Sequence, residues 1–236
     1  MNGPFLFFLL AGGLGIGFLL FYASYSIRAG FYLKALCRAE KKEKVVALTF
    51  DDGPHRVYTG EVLDVLKDYR VPATFFCIGS EAEKYPEVVR RIFAEGHTVG
   101  NHSYSHAGRF PFYSLQHMEK DLRLAQEILE RITGRPVTLF RPPFGVTNPT
   151  IAKVVKKTGY RTIGWNIRSF DTREESPDRI LRRIAGRLEP GSVILLHDRL
   201  AGSAALLKRL LDELQKRRYR IISLEEMFNI ESYETH

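Results

Sequence analysis

From Lys44 onward, seven apolar runs alternate with segments of helical period, and this order limits the possible folds more than any other feature of the chain. The runs VVALTF, ATFFCIG, HTVGNH, VTLFRPP, RTIGWNI, SVILLHD and RIISLEEM have strand-like length and are rich in β-branched and aromatic residues. Between them lie EVLDVLKDY, YPEVVRRIFAEG, LQHMEKDLRLAQEILERITG, NPTIAKVVKKTG, SPDRILRRIAGRL and AALLKRLLDELQKRRY, whose apolar residues recur with helical spacing. Gly96, Gly134 and Gly159 stand where helices should stop, and Asn148 and Ser176, each before a proline, where helices should begin. Strand-then-helix repetition predicts a parallel sheet, and about seven such strands predict an α/β fold, a distorted (β/α) barrel related to the eightfold one. A chain of 236 residues with 44% apolar and 12% aromatic content has enough material for one such domain and is not of disordered composition.

In such barrels chemistry gathers at the carboxyl ends of the strands. Asp51 and Asp52 follow the first run, His102 and His106 the third, Arg141 the fourth; Asp171 lies beyond the fifth, and His197 with Asp198 ends the sixth. Neighbouring strand residues face opposite ways, so two adjacent acids share one site only if the strand ends between them and the mouth, and Gly53-Pro54 ends it. The two imidazoles of NHSYSH, alone, read as solvent-exposed histidines. Joined by a carboxylate from another strand end, they make a metal site with positions left for water and substrate. FRPPFG alone reads as a rigid loop bearing a surface cation; its prolines would also hold Arg141 towards the mouth, to pair with a carboxylate. His197 is either a packed core histidine or an acid or base at a strand end. Cys37 and Cys77 are too few for a disulfide framework or a thiolate zinc site; Cys77 reads as a small buried hydrophobe, and Cys37 as a free thiol or a lipidation site.

Residues 1–27 contain no charged side chain, and the stretch from Pro4 is long enough to cross a bilayer, so we expect an uncleaved transmembrane anchor. Half of the net charge of +8 falls in residues 28–44, where six basic residues against Glu40 and Glu43 leave +4. That cluster reads as a basic juxtamembrane linker over 28–43 in contact with anionic lipid, not as a nucleic-acid patch. The expected organisation is therefore anchor 1–27, linker 28–43 and catalytic domain 44–236, with no protein partner evident.

These motifs, in this order, resemble the polysaccharide deacetylase, or NodB-type, domain of carbohydrate esterase family 4: Thr49-Phe50-Asp51-Asp52-Gly53-Pro54, His102-Ser103-Tyr104-Ser105-His106, Arg141-Pro142-Pro143-Phe144-Gly145 and Leu195-Leu196-His197. The resemblance covers roughly residues 44–228. It implies a metal-dependent N-deacetylase acting on an N-acetylated glycan. By analogy Asp52, His102 and His106 hold one divalent metal ion, while Asp51 stays free as general base. His197 protonates the leaving amine, and Arg141 orients Asp51. The backbone N–H of Phe144 stabilises the oxyanion, and Leu195 lines the pocket for the acetyl methyl. The family's Asp-Trp motif is degenerate here: Asp171 is present but Thr172 follows it, so Asp171 and Asp198 compete as the support of His197, and Trp165 or Phe170 would have to replace the missing groove wall. Zn²⁺ suits the Asp and two His, and Co²⁺, Ni²⁺, Mn²⁺ or Fe²⁺ would also serve. A non-catalytic glycan-binding barrel and a deacylase or deformylase of a lipid-linked sugar are the alternatives. The expected location is the cytoplasmic membrane, single-pass. Wall glycans place the domain outside, the positive-inside rule places it inside, and we expect the outer face.

Overall fold

The first run becomes β1 (Val45–Asp51), which is buried along its whole length. Such continuous burial is what a parallel strand covered on both faces requires. The computed structural model describes residues 3–173 and 175–233, without the side chains of 3–10 and 12. After β1 come α2 (Tyr58–Tyr69), β2 (Thr74–Cys77), α3 (Gly79–Lys84), α4 (Pro86–Ala94), β3 (Thr98–Asn101) and α5 (Leu115–Thr133). The chain continues through β4 (Leu139–Phe140), α6 (Pro149–Thr158), β5 (Arg161–Thr162), β6 (Ile167–Arg168), α7 (Pro177–Ala185), β7 (Ser192–His197), α8 (Ser203–Lys216), β8 (Arg220–Ile221) and α9 (Leu224–Phe228). Seven strands run in the order β5-β4-β3-β2-β1-β7-β6, all parallel, and short β8 pairs with the start of β1. The curved sheet is an incomplete (β/α) barrel whose edge strands, β5 and β6, are not paired with each other.

Residues alternate between two environments along β1. Val46, Leu48 and Phe50 pack outward with Val62, Leu63 and Leu66 of α2 and with Leu207, Leu210 and Leu211 of α8. Val45 and Ala47 join Phe76, Leu139, Ile163 and Val193 on the other face. Asp51 continues this second, inward row. The register aligns the strand ends: Asp51 is level with Phe76 of β2 and His197 of β7, Cys77 with Asn101, and Asn101 with Phe140. His102 and Arg141, each one residue further on, therefore emerge on the same rim.

Helix boundaries follow local chemistry. The Asn148 side chain accepts a hydrogen bond from Ile151 N at the start of α6, and Ser114 accepts one from His117 N at the start of α5. Gly134 and Gly159 end these two helices at φ of +75° and +76°, where a Cβ would be strained.

The run RTIGWNI departs from the expected single strand. It divides into β5 and β6, which lie at opposite edges of the sheet, so residues 163–166 cross the gap between them. The carbonyls of Ile163 and Gly164 accept from the Arg141 guanidinium and not from a neighbouring strand, which accounts for the break. RIISLEEM also divides: Ser223 caps α9 two residues after β8.

The first helix, α1 (Gly3–Tyr25), ends against the barrel. Ala23 and Ile27 are buried, and Thr147 donates through N to Ser24 O (2.8 Å) and through Oγ1 to Ala23 O (3.2 Å). Among the described residues no helix is long and apolar enough to cross a membrane, so the anchor expected over residues 1–27 has no support from the structure. The following segment lies along the barrel: Leu36 bridges Ile163, and Arg38 bridges Ser192.

Candidate active site

Asp52 lies just past the end of β1 with φ of +74°, a strained value for a non-glycine residue, and this turn brings its carboxylate to the same mouth as Asp51. Its Oδ1 lies 3.5 Å from His102 Nε2 and 3.2 Å from His106 Nε2. One donor atom from each of the three residues falls within 4.8 Å of the others. His102 Nδ1 lies 2.7 Å from Arg141 O. A carbonyl only accepts, so Nδ1 carries the proton and Nε2 presents its lone pair to the cluster. Burial first, then the neighbouring His102, lowers the His106 pKa to about 4, which keeps that ring neutral as a metal ligand must be. Burial opposes ionisation of Asp52, but the hydrogen bond to His102 and the positive charge that His102, His106 and His197 carry when protonated outweigh it and hold the carboxyl well below its usual range; a bound metal cation would take the place of those protons. Two neutral imidazole nitrogens and one carboxylate, converging and mostly buried, fit a divalent transition metal.

The loop that carries the histidines is pinned from beneath. Ser103 (φ +67°) and His106 (φ +42°) also have left-handed backbone. Ser103 N donates to Asn101 Oδ1, Tyr104 N and Ser105 N donate to the two carboxylate oxygens of Asp121, and His106 N donates to Ser103 Oγ. Asp121, buried on α5, was not legible as a site residue, since it reads as one polar position of a helix.

Asp51 is held differently. Its Oδ1 accepts from Arg141 Nη1 at 2.7 Å, and its Oδ2 lies 3.8 Å from His102 Nε2. Arg141 is fully buried; Nη1 also donates to Thr49 Oγ1, Nε to Ile163 O and Nη2 to Gly164 O, and the guanidinium lies 4.2 Å from the centre of the Phe76 ring. Arg141 is thus an interior cation paired with a carboxylate, as its place before the two prolines suggested, with every nitrogen engaged.

His197 Nδ1 lies 2.7 Å from Asp171 Oδ1, and Asp171 Oδ2 accepts from the backbone N of His197. Ser169 Oγ donates to the same Oδ1. Burial lowers the His197 pKa, but the Asp171 hydrogen bond and charge, with Asp51 and Asp52, raise it overall. Asp198 points elsewhere. Its Oδ2 accepts from Thr59 Oγ1 at 2.5 Å, and its carboxylate rests so close to Gly53 that a Cβ there would lie 2.2 Å away. Burial pushes its pKa up to about 7. Between the two candidates, Asp171 is the one beside His197.

Phe144 stands at φ +62° on the RPPFG turn, 44% exposed, with its ring 4.8 Å from that of His106. Leu195 is buried and level with Thr49, two residues below His197. Trp165 is half-buried and packs on Gly145, where a Cβ would meet its ring at 2.4 Å. Phe170 lies among the guanidinium groups of Arg168, Arg173 and Arg183. Arg199, which sequence reading passed over, places Nε 3.3 Å from Asp52 Oδ2; a cation directly after His-Asp was the only available signal.

Comparison with known proteins follows the same lines. The family described as Polysaccharide deacetylase matches residues 38–163. A peptidoglycan-N-acetylglucosamine deacetylase of Bacillus cereus is 36% identical over 187 residues, spanning 78% of this chain and 68% of its own. A chitooligosaccharide deacetylase of Azorhizobium caulinodans is 35% identical over 162 residues, spanning 68% of this chain and 77% of its own. A solved peptidoglycan N-acetylglucosamine deacetylase in complex with a naphthyl-substituted N-hydroxybenzamide superposes with a TM-score of 0.80 at 33% identity, covering 85% of this chain and 95% of the other.

Proposed function

The chain belongs to the polysaccharide deacetylase family and is a metal-dependent hydrolase of sugar acetamides, and from that premise we propose how its own residues divide the work. The observation that carries the assignment is the separation of the two adjacent acids: Asp52 lies among the histidines, while Asp51 is clamped by Arg141. Asp52, His102 and His106 would hold the metal, which supplies Lewis acidity at the acetyl carbonyl and lowers the pKa of water. Zinc is our choice, with cobalt, nickel, manganese and iron as the other candidates.

Arg141 occupies Oδ1 of Asp51, leaving Oδ2 to accept a proton from the attacking water as general base. The N–H of Phe144 donates to the oxyanion that forms as the carbonyl carbon becomes tetrahedral. With Nδ1 committed to Asp171, His197 has Nε2 left to give a proton to the departing amine. The C–N bond then breaks, yielding acetate and a free amino sugar. Leu195 walls the space for the acetyl methyl. The substrate is an N-acetylated glycan of the kind named for the relatives, peptidoglycan or chitooligosaccharide.

We assign residues 1–27 to a single-pass anchor, 28–43 to the basic segment beside the membrane and 44–236 to the catalytic domain, with the domain on the outer face. Support comes from the absence of charge in 1–27.

Replacing His102 or His106 by alanine tests the site. Each variant is expected to lose bound metal and acetate release from an N-acetylglucosamine oligomer together. Full metal retention in both would overturn the ligand assignment.

A further inference from the structure

Beside the candidate metal ligands the barrel mouth opens into a pocket of about 420 Å³, lined in part by Asp52, His55, Ser80, Glu81, His106 and Arg199. It shares Asp52 and His106 with the three-residue cluster, so whatever fills it lies next to the acetamide under attack. Two side chains that the proposed mechanism leaves unused bring hydrogen-bond donors here. Arg199 is 51% exposed; its Nε lies 3.3 Å from Asp52 Oδ2, and among the described residues nothing takes Nη1 or Nη2. His55 Nδ1 accepts from both Val57 N and Tyr58 N at 3.2 Å, so the ring proton is on Nε2, which has no acceptor among the described residues. Stacking on Tyr58, with ring centres 4.4 Å apart, fixes that imidazole further. Thr59 ties the two loops together: its Oγ1 accepts from His55 N at 2.8 Å and donates at 2.5 Å to Oδ2 of Asp198, the residue before Arg199.

The charges around the pocket favour an anion. Glu81 is its one acid besides Asp52, and Glu81 Oε1 is taken by Lys84 Nζ at 2.7 Å. With a metal held at the site, Asp52 spends its charge on that ion, and Arg199 is left without a counter-charge in the pocket. The planar guanidinium, with two nitrogens free, matches a carboxylate in shape and charge, whereas a sugar hydroxyl would leave the charge unbalanced. We propose that Arg199, with the Nε2–H of His55 in the same pocket, binds a carboxylate carried by the glycan close to the acetamide, and so selects acidic N-acetylated glycans over neutral ones. The proposal rests on the N-deacetylase reading and names its substrate class.

The full chain with metal bound would be offered a peptide-free tetrasaccharide of alternating N-acetylglucosamine and N-acetylmuramic acid, the same tetrasaccharide with each lactyl carboxylate converted to its methylamide, and chitotetraose, with acetate release measured for each. The acid is expected to exceed the methylamide in kcat/KM by at least about tenfold, the scale of one charge-assisted hydrogen bond. Arg199→Gln should bring that ratio close to one, and His55→Phe, which keeps a ring to stack on Tyr58, should lower it. Because Arg199 also touches Asp52, its variant should be slower on every substrate, and the ratio separates carboxylate recognition from that common loss. Salt of about 1 M, where charges are screened within about 3 Å, should lower the parent's ratio as well. Equal use of acid and methylamide by the parent, or a ratio that salt leaves unchanged, would overturn the carboxylate assignment alone; the parent's ratio retained in either variant would overturn the role given to that residue. Acetate from chitotetraose only would also overturn the carboxylate assignment alone. No acetate from any of the three would overturn the deacetylase reading and this inference with it.

Discussion

In the proposed mechanism Asp171 acts on the reaction through His197, and this gives a pH dependence with a definite sign. A proton donor to the leaving amine works in its protonated form, so activity should fall as pH rises through the His197 pKa. Burial alone would bring that fall to lower pH, but the Asp171 hydrogen bond and charge move the pKa up, above the ordinary histidine value. Asp171→Asn removes the raising charge. The alkaline limb of the kcat profile should therefore shift to lower pH, while metal content stays as in the parent. An unmoved limb would show that Asp171 does not tune His197. At this scale the sequence singled out groups whose type and strand-end position suggested chemistry, Asp51, Asp52, His102, His106, Arg141 and His197, and the structure brings them to one rim. The sequence could not reveal Asp121, which supports the histidine loop from a helix, or Thr59, whose contact with Asp198 joins residues 139 apart. Such contacts depend on the packed fold and leave no local pattern.

At the scale of elements, legibility tracked the strength of local signals. Helices α5 and α6 begin and end at the cap residues and glycines expected, because capping chemistry is local. RTIGWNI was misread because its apolar pattern is strand-like, while the groups that take its carbonyls belong to Arg141, more than twenty residues away. Asn148 has two jobs, capping α6 and holding Pro111 O through Nδ2 at 2.6 Å. Asn148→Ala should cost about 1 kcal/mol through the cap alone. The denaturant midpoint should drop with the slope of the transition unchanged. Asn148→Asp should recover the cap but not the bond to Pro111. Equal stability of the alanine variant and the parent would show that α6 does not need this cap.

At the scale of the whole molecule, the aligned strand ends of a parallel barrel assemble one site from residues 51 to 197. The chain before the barrel joins the fold as well, since Leu36 and Arg38 bridge to its strands and Thr147 grips the end of α1. These backbone pairings could not be read from a basic segment that looked like a tether. For orientation, protease added to intact cells should cut the domain if it lies on the outer face; cleavage only after permeabilisation would place it inside. The central claim, that Asp51 moves the proton while Asp52 holds the metal, is tested most directly by Asp51→Asn. Asparagine keeps an oxygen to accept from Arg141 but cannot take the water's proton. The variant should bind as much metal as the parent and release acetate about a hundred- to ten-thousand-fold more slowly, with no rescue by excess metal. Acetate release at the parent rate, or loss of metal along with activity, would contradict the account.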